Sequence, residues 1–203
     1  MKSTEKKVLI YVHGKGGNPI EAEHYKSLFP DFTVLGFDYK SENPWDAKIE
    51  FRQYFDTIQK SYDTVYLIAN SIGAFFSLGS LADKKIEKTF LISPIVNMEK
   101  LISDMMIWAN TSEEELKIKK EIKTAFGETL SWNYLCYVRD NPIQWSIPTW
   151  ILYGAKDTLT SMDTIKGFAD KNKARLTVME DGEHWFHTEE QMSFLDNWIR
   201  TSL

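Results

Sequence analysis

Residues 64–73 read Thr-Val-Tyr-Leu-Ile-Ala-Asn-Ser-Ile-Gly. The first six make a short, nearly continuous apolar run, the pattern of a strand buried on both faces. After it, Ala69-Asn70-Ser71-Ile72-Gly73 sets a serine between small residues two before and two after, where a helix over 72–82 begins. This is close to the G-x-S-x-G nucleophile elbow. There a tight, strained turn lifts the serine Oγ above the sheet, and small neighbours let strand and helix approach. Ala69 departs from glycine by one methyl. Taken alone, the segment also fits a serine that caps a helix after a strand.

Five further runs of the same kind flank this one: VLIYV at 8–12, FTVLGF at 32–37, KTFLI at 88–92, TWILY at 149–153 and RLTVM at 175–179. Amphipathic stretches at 19–29, 45–61, 162–171 and 189–201 alternate with them. That alternation predicts an α/β domain with a mainly parallel sheet. From Met98 to Ile147 the rhythm fails, and no strand pattern appears. Ser112 with Glu115 makes a capping box for a helix ending near Gly127. A second, ring-rich helix runs from Ser131 to Arg139. The expected organisation is a core of 1–97 and 148–203 carrying a helical cap at 98–147, a single domain overall, because the insertion is too small for a good core of its own.

Composition narrows the function classes. A chain of 203 residues with net charge −5 suits one soluble domain and argues against nucleic-acid binding. No run of about 18 apolar residues is present, so no membrane span is expected. The N-terminal residues lack the apolar core of a signal peptide. Cys136 is the only cysteine, which excludes an internal disulfide framework and fits a cytoplasmic setting. The acidic triplet 113–115 reads as a helix N-terminus, not as metal ligands. No metal or organic cofactor is expected.

A serine nucleophile requires a base, and the base an orienting acid. The chain has four histidines. His24 sits on the first helix, and His13 reads as a hydrogen-bonder under its own loop. His184 leaves the last strand in a loop, ahead of His187 at the start of the final helix; His184 is favoured as the base, with His187 open beside it. Asp157 lies four residues past a strand, at the carboxyl edge where sites in open α/β sheets form, with Asp163 further along on the next helix. His13-Gly14-Lys15-Gly16-Gly17 follows the first strand and can turn backbone N–H groups into a site. It lacks both the P-loop and the dinucleotide-binding patterns. With the nucleophile at Ser71, the N–H groups of Lys15 and Ile72 are the expected oxyanion donors.

Ser71, Asp157 and His184 each follow a different strand, in that order, behind a glycine-rich loop. In this the chain resembles the α/β-hydrolases, and among them small bacterial-type serine esterases. The resemblance implies a trimmed six-stranded sheet with helices on both faces and a cap insertion. It also implies Ser71 as nucleophile, His184 as general base, Asp157 as its partner and a small-molecule acyl ester as substrate. Asn70 stands where many such proteins carry histidine. Trp108, Trp132 and Tyr134 are candidates for lining an acyl pocket, beside Met105, Met106 and Tyr137, although rings of this kind also serve to bury cap helices. Lys15 could attract a substrate carboxylate. The same triad serves thioesterases, lactonases, peptidases and C–C hydrolases, and the fold also supports a non-catalytic binding module.

Overall fold

The computed structural model describes residues 5–203. In chain order the elements are β1 (Lys7–Val12), a 3₁₀ segment (Pro19–Ser27), β2 (Thr33–Gly36), α1 (Pro44–Ser61), β3 (Thr64–Asn70), α2 (Ser71–Ser80) and β4 (Lys88–Ile92). There follow α3 (Met98–Trp108), α4 (Glu113–Lys119), β5 (Glu121–Lys123), β6 (Thr129–Ser131) and α5 (Trp132–Asp140). The chain ends with β7 (Thr149–Gly154), α6 (Met162–Asn172), β8 (Arg175–Met179) and α7 (Glu189–Ser202). It forms two compact units, one of residues up to Val96 with Gln144–Leu203, the other Asn97–Ile143. No helix among the described residues is long and apolar enough to cross a membrane.

The first unit is built on a six-stranded sheet in the order β2-β1-β3-β4-β7-β8, parallel at every pairing. All six runs read from the sequence are strands. Their period-two faces explain the burial. Leu9, Tyr11, Ile68, Phe90, Ile92 and Leu152 point to one side, against Ala22 and Tyr25 of the 3₁₀ segment and Leu195, Trp198 and Ile199 of α7. Their neighbours in sequence Val8, Ile10, Leu67, Leu91 and Ile151 take the other side, and all are buried. There Phe51 of α1 meets Phe76 of α2 and Phe37 in edge contacts. A sheet covered on both faces needs apolar residues at almost every position, which is why these strands show no polar alternation.

The parallel register also collects the strand ends. Val12 is level with Ala69, Asn70 with Ile92, and Gly154 with Met179. From β1 the chain passes to β2 on one side, then returns to β3 on the other. The sheet therefore changes direction between β1 and β3, the place where open α/β sheets leave a crevice.

Several local details differ from those expectations. The helix expected at 19–29 is present as a 3₁₀ segment ending at Ser27. It buries only Ala22 and Tyr25, three residues apart, which is the 3₁₀ repeat. In the second unit, the helix expected to run from Ser112 to near Gly127 stops at Lys119. Lys120 takes φ 68°, and an antiparallel hairpin of β5 and β6 follows, with Gly127 at φ 87° in its turn. Each hairpin strand carries one apolar residue, Ile122 and Leu130, too few to show a period in sequence. Ser112 caps α4 by accepting from the Glu115 N–H, but the Glu115 carboxylate turns to Thr111 and Lys119 and does not close the box. The unit boundary also falls before Gln144. Trp145 and Ile147 are buried, and the Trp145 Nε1–H donates to Thr149 Oγ1 of β7 at 2.8 Å. That bond and that burial tie 144–148 to the sheet.

Phe90 is fully buried and touches the rings of Phe29, Trp150 and Trp198. Phe90→Ala is expected to lower the unfolding free energy by about 3–5 kcal/mol, read as a shifted denaturant midpoint at unchanged slope.

Candidate active site

The elbow forms as a strained turn. β3 ends at Asn70, α2 begins at Ser71, and Ser71 has φ 48°. Such a backbone is uncommon for a residue with a Cβ and persists only where its surroundings hold it. Here the end of β1 does so. A Cβ on Gly73 would lie 2.3 Å from the His13 carbonyl oxygen and 2.9 Å from Val12 Cγ1. Only glycine allows that approach. Ala69, on the opposite side of the serine, is fully buried and level with Val12, so its extra methyl is accommodated.

Three of the residues named from sequence meet at this turn. Ser71 Oγ lies 2.8 Å from His184 Nε2, and His184 Nδ1 lies 2.7 Å from Asp157 Oδ2. A carboxylate accepts only, so the proton between the latter pair resides on Nδ1. Nε2 then presents its lone pair, and Ser71 donates to it. The Asp157 side chain is entirely buried. Its other oxygen accepts from the N–H groups of Leu159 at 2.7 Å and Thr160 at 3.2 Å. The carboxylate is thus held on both oxygens by a loop that closes on itself.

That loop is fixed by a backbone contact between two strand ends. A Cβ on Gly154 would sit 2.4 Å from the carbonyl carbon and oxygen of Gly182. The Lys156 N–H donates to the Gly182 carbonyl at 2.8 Å, and the Ala155 N–H to Met179 at 2.9 Å. Tyr153 donates its hydroxyl to the Thr160 carbonyl at 2.6 Å; burial first, and the Asp157 charge second, raise its pKa. The Asp157 and His184 loops can therefore run side by side. The sequence signal available for this approach is a glycine at the end of each of two adjacent strands, Gly154 as the last residue of β7 and Gly182 three residues past β8.

The glycine-rich loop stands beside the serine. Gly14, Lys15, Gly16 and Gly17 form a turn with Gly17 N–H donating to Gly14 O at 3.1 Å and Gly16 at φ 77°. A Cβ on Gly14 would come within 3.2 Å of Ser71 Cβ. At the other donor position, Ile72 is in the first turn of α2, where N–H groups lack intrahelical partners, and Asn70 makes no side-chain cap there. Above the loop, the His13 ring stacks on Tyr39 at 4.4 Å, and Tyr39 donates to the His13 carbonyl at 2.9 Å. Burial foremost, with Glu50 and Glu21 nearby, pushes the Tyr39 pKa up to about 12, so the hydroxyl keeps its proton.

The remaining candidates are engaged elsewhere. His187 turns its Nδ1 to the Trp185 carbonyl at 2.7 Å and stacks on the Trp185 ring. His24 pairs with Asp196 at 2.7 Å. Asp163 is exposed in the first turn of α6. Trp108, Trp132 and Tyr134 lie in the second unit. There Trp108 is half exposed and meets Phe126 edge-on, and Lys117 stands over the Trp132 ring at 5.7 Å. Among the described residues, no group of three or more His, Cys, Asp or Glu side chains could hold a metal ion.

No family model and no curated protein sequence matches this chain. Solved structures do match its fold. Est1E from Butyrivibrio proteoclasticus is similar over 98% of this chain and 88% of its own, with TM-score 0.75 and 14% identity. Mouse alpha/beta hydrolase domain-containing protein 10 covers 96% and 88%, with TM-score 0.72 and 16% identity. An esterase of Pyrococcus furiosus covers 98% and 81%, with TM-score 0.61 and 19% identity. The chain has the α/β-hydrolase fold.

Gly154→Ala is expected to destabilise the protein by about 1–3 kcal/mol, since its methyl must displace backbone. Gly79→Ala places a methyl in open space on α2. It is expected to stabilise by about 0.5–1 kcal/mol. Thermal unfolding of both variants beside the parent checks the contrast.

Proposed function

We propose that the chain is a serine hydrolase that cleaves small carboxylic esters through an acyl-serine intermediate. The observation that carries this reading is the continuous Ser71–His184–Asp157 chain, at 2.8 and 2.7 Å, rising from a strained elbow. Support also comes from the fold neighbours: one is an esterase by name, and Est1E has been solved with ferulic acid bound.

In this mechanism Ser71 Oγ attacks the acyl carbonyl while its proton passes to His184 Nε2. Asp157 holds the imidazole by Nδ1 and favours the imidazolium that forms. The oxyanion is received by the N–H groups of Ile72 and Lys15, each worth about 2.7–4 kcal/mol in comparable sites. His184 returns the proton to the leaving alcohol. Water, deprotonated by the same nitrogen, then releases the acid and restores Ser71.

A fluorophosphonate probe is expected to label the protein at Ser71, located by peptide mass spectrometry, and to leave Ser71→Ala unlabelled. Absence of labelling in the parent would overturn the reading. Ser71→Ala and His184→Ala should each lower kcat on a short-chain ester on the order of a million-fold, and the double variant should be no worse, because these groups act as a unit. Trp108 and Trp132 are proposed to bear on acyl preference. A series of esters of increasing chain length tests this: Trp108→Ala or Trp132→Ala should change the gain per methylene, about 0.8 kcal/mol for each one buried, more than it changes acetate hydrolysis.

A further inference from the structure

Asn70 occupies the N-cap position of α2, directly before the proposed nucleophile. Asparagine is among the best N-cap residues, and a cap bond is typically worth about 1 kcal/mol. Among the described residues, every α-helix other than α2 has a side-chain cap, from Asn43, Asn97, Ser112, Ser131, Ser161 or Thr188. At α2 the Asn70 side chain makes none. Its Nδ2 instead donates to the Tyr11 hydroxyl at 2.9 Å, and its Oδ1 is buried with no hydrogen-bond partner. A buried acceptor left unsatisfied costs about 1–3 kcal/mol. The amide therefore forgoes the bonds nearest to it and bears a cost in doing so.

The cause lies in the sheet register. Tyr11 is level with Ile68, so Tyr11 and Asn70 share the face on which the 3₁₀ segment packs. From that segment the Glu21 carboxylate accepts the Tyr11 hydroxyl at 2.5 Å, and its other oxygen accepts the Asn18 N–H at 3.2 Å. Valence fixes the direction of the chain. The carboxylate can only accept, Tyr11 has one proton to give it, and the phenol oxygen is then free only as an acceptor. Burial first, then the Tyr25 phenol and Glu21, raises the Tyr11 pKa far above its usual range, so the proton stays on Tyr11. Asn70 must therefore turn its NH₂ toward Tyr11.

We propose that Tyr11, oriented by Glu21, is a positioning residue that holds the Asn70 side chain away from the N-terminus of α2 and keeps the Ile72 N–H open for the substrate oxyanion. Without this tether the Asn70 carboxamide oxygen is released to cap α2, whose N2 and N3 N–H groups are those of Ile72 and Gly73. A cap on the Ile72 N–H would compete with the oxyanion for that donor. The inference rests on the serine-hydrolase reading, which supplies the oxyanion.

The test is a double-mutant comparison on a short-chain ester. Tyr11→Phe keeps the ring against Tyr25 and removes only the hydroxyl. It is expected to lower kcat by about tenfold or more, within the 10²–10³ cost of losing one oxyanion donor, and to change KM less than about twofold. On an Asn70→Ala background, where no carboxamide can cap the helix, the same substitution should change kcat by less than about twofold. A merely structural hydroxyl would give the same effect on both backgrounds. Tyr11→Leu, which likewise lacks the hydroxyl, should follow the same pattern and serves if Tyr11→Phe does not fold. Tyr11→Phe with parental kcat, or a loss that persists on the Asn70→Ala background, overturns the proposal while leaving the hydrolase reading intact. A parent inert toward the fluorophosphonate overturns both.

Discussion

The approach of the β3–α2 turn to the end of β1 is the constraint on which the rest of the site depends. A Cβ at Gly73 would lie 2.3 Å from the His13 carbonyl. With hydrogen there, α2 can start at Ser71, the serine can take φ 48°, and the glycine-rich loop can lie against its side chain. The parallel pairing of β1 with β3 sets this distance, because it brings Val12 level with Ala69. Everything at the candidate site is measured from that register.

A second backbone contact has the same character at the far side of the sheet. Gly154 and Gly182 meet where β7 and β8 end, and their contact lets two loops of unlike length run together. Asp157 is then delivered fully buried, with its oxygens shared among two N–H groups and one imidazole. The imidazole bridges the two constructions. Its orientation follows from Asp157, and its reach to Ser71 follows from the order of strands β1-β3-β4-β7-β8. Charge plays a local part only: the ion pair Lys156–Asp181 near this edge is largely solvated and contributes little.

Polar side chains under the sheet edge complete the arrangement from two directions. Tyr39 holds the loop at His13, and Glu21 holds it at Asn18. Tyr11 joins Glu21 to Asn70. Tyr11, Glu21 and Asn70 come from β1, the 3₁₀ segment and the end of β3, and they converge because one face of the sheet presents Tyr11 and Asn70 together, while Tyr39 packs against Phe51 and Phe76.

Much of this was readable from the order of residues alone. Six apolar runs announced six buried strands, since a parallel sheet covered on both faces leaves no polar alternation to confuse the signal. Ser71, Asp157 and His184 are legible as candidates because each lies within five residues of the end of such a run, and strand ends are local features. What sequence could not supply was anything set by distance between elements. The hairpin of β5 and β6 leaves no sequence pattern, because a three-residue strand with one apolar position has no period. The Gly154–Gly182 contact and the Asn70–Tyr11–Glu21 chain join residues 28, 59 and 10 positions apart and turn on valence among side chains already in place. Local pattern determines which segments become strands and helices, because propensity and burial act over a few residues. Tertiary structure decides which of their ends meet, because only the register of the sheet converts neighbouring strands into neighbouring atoms.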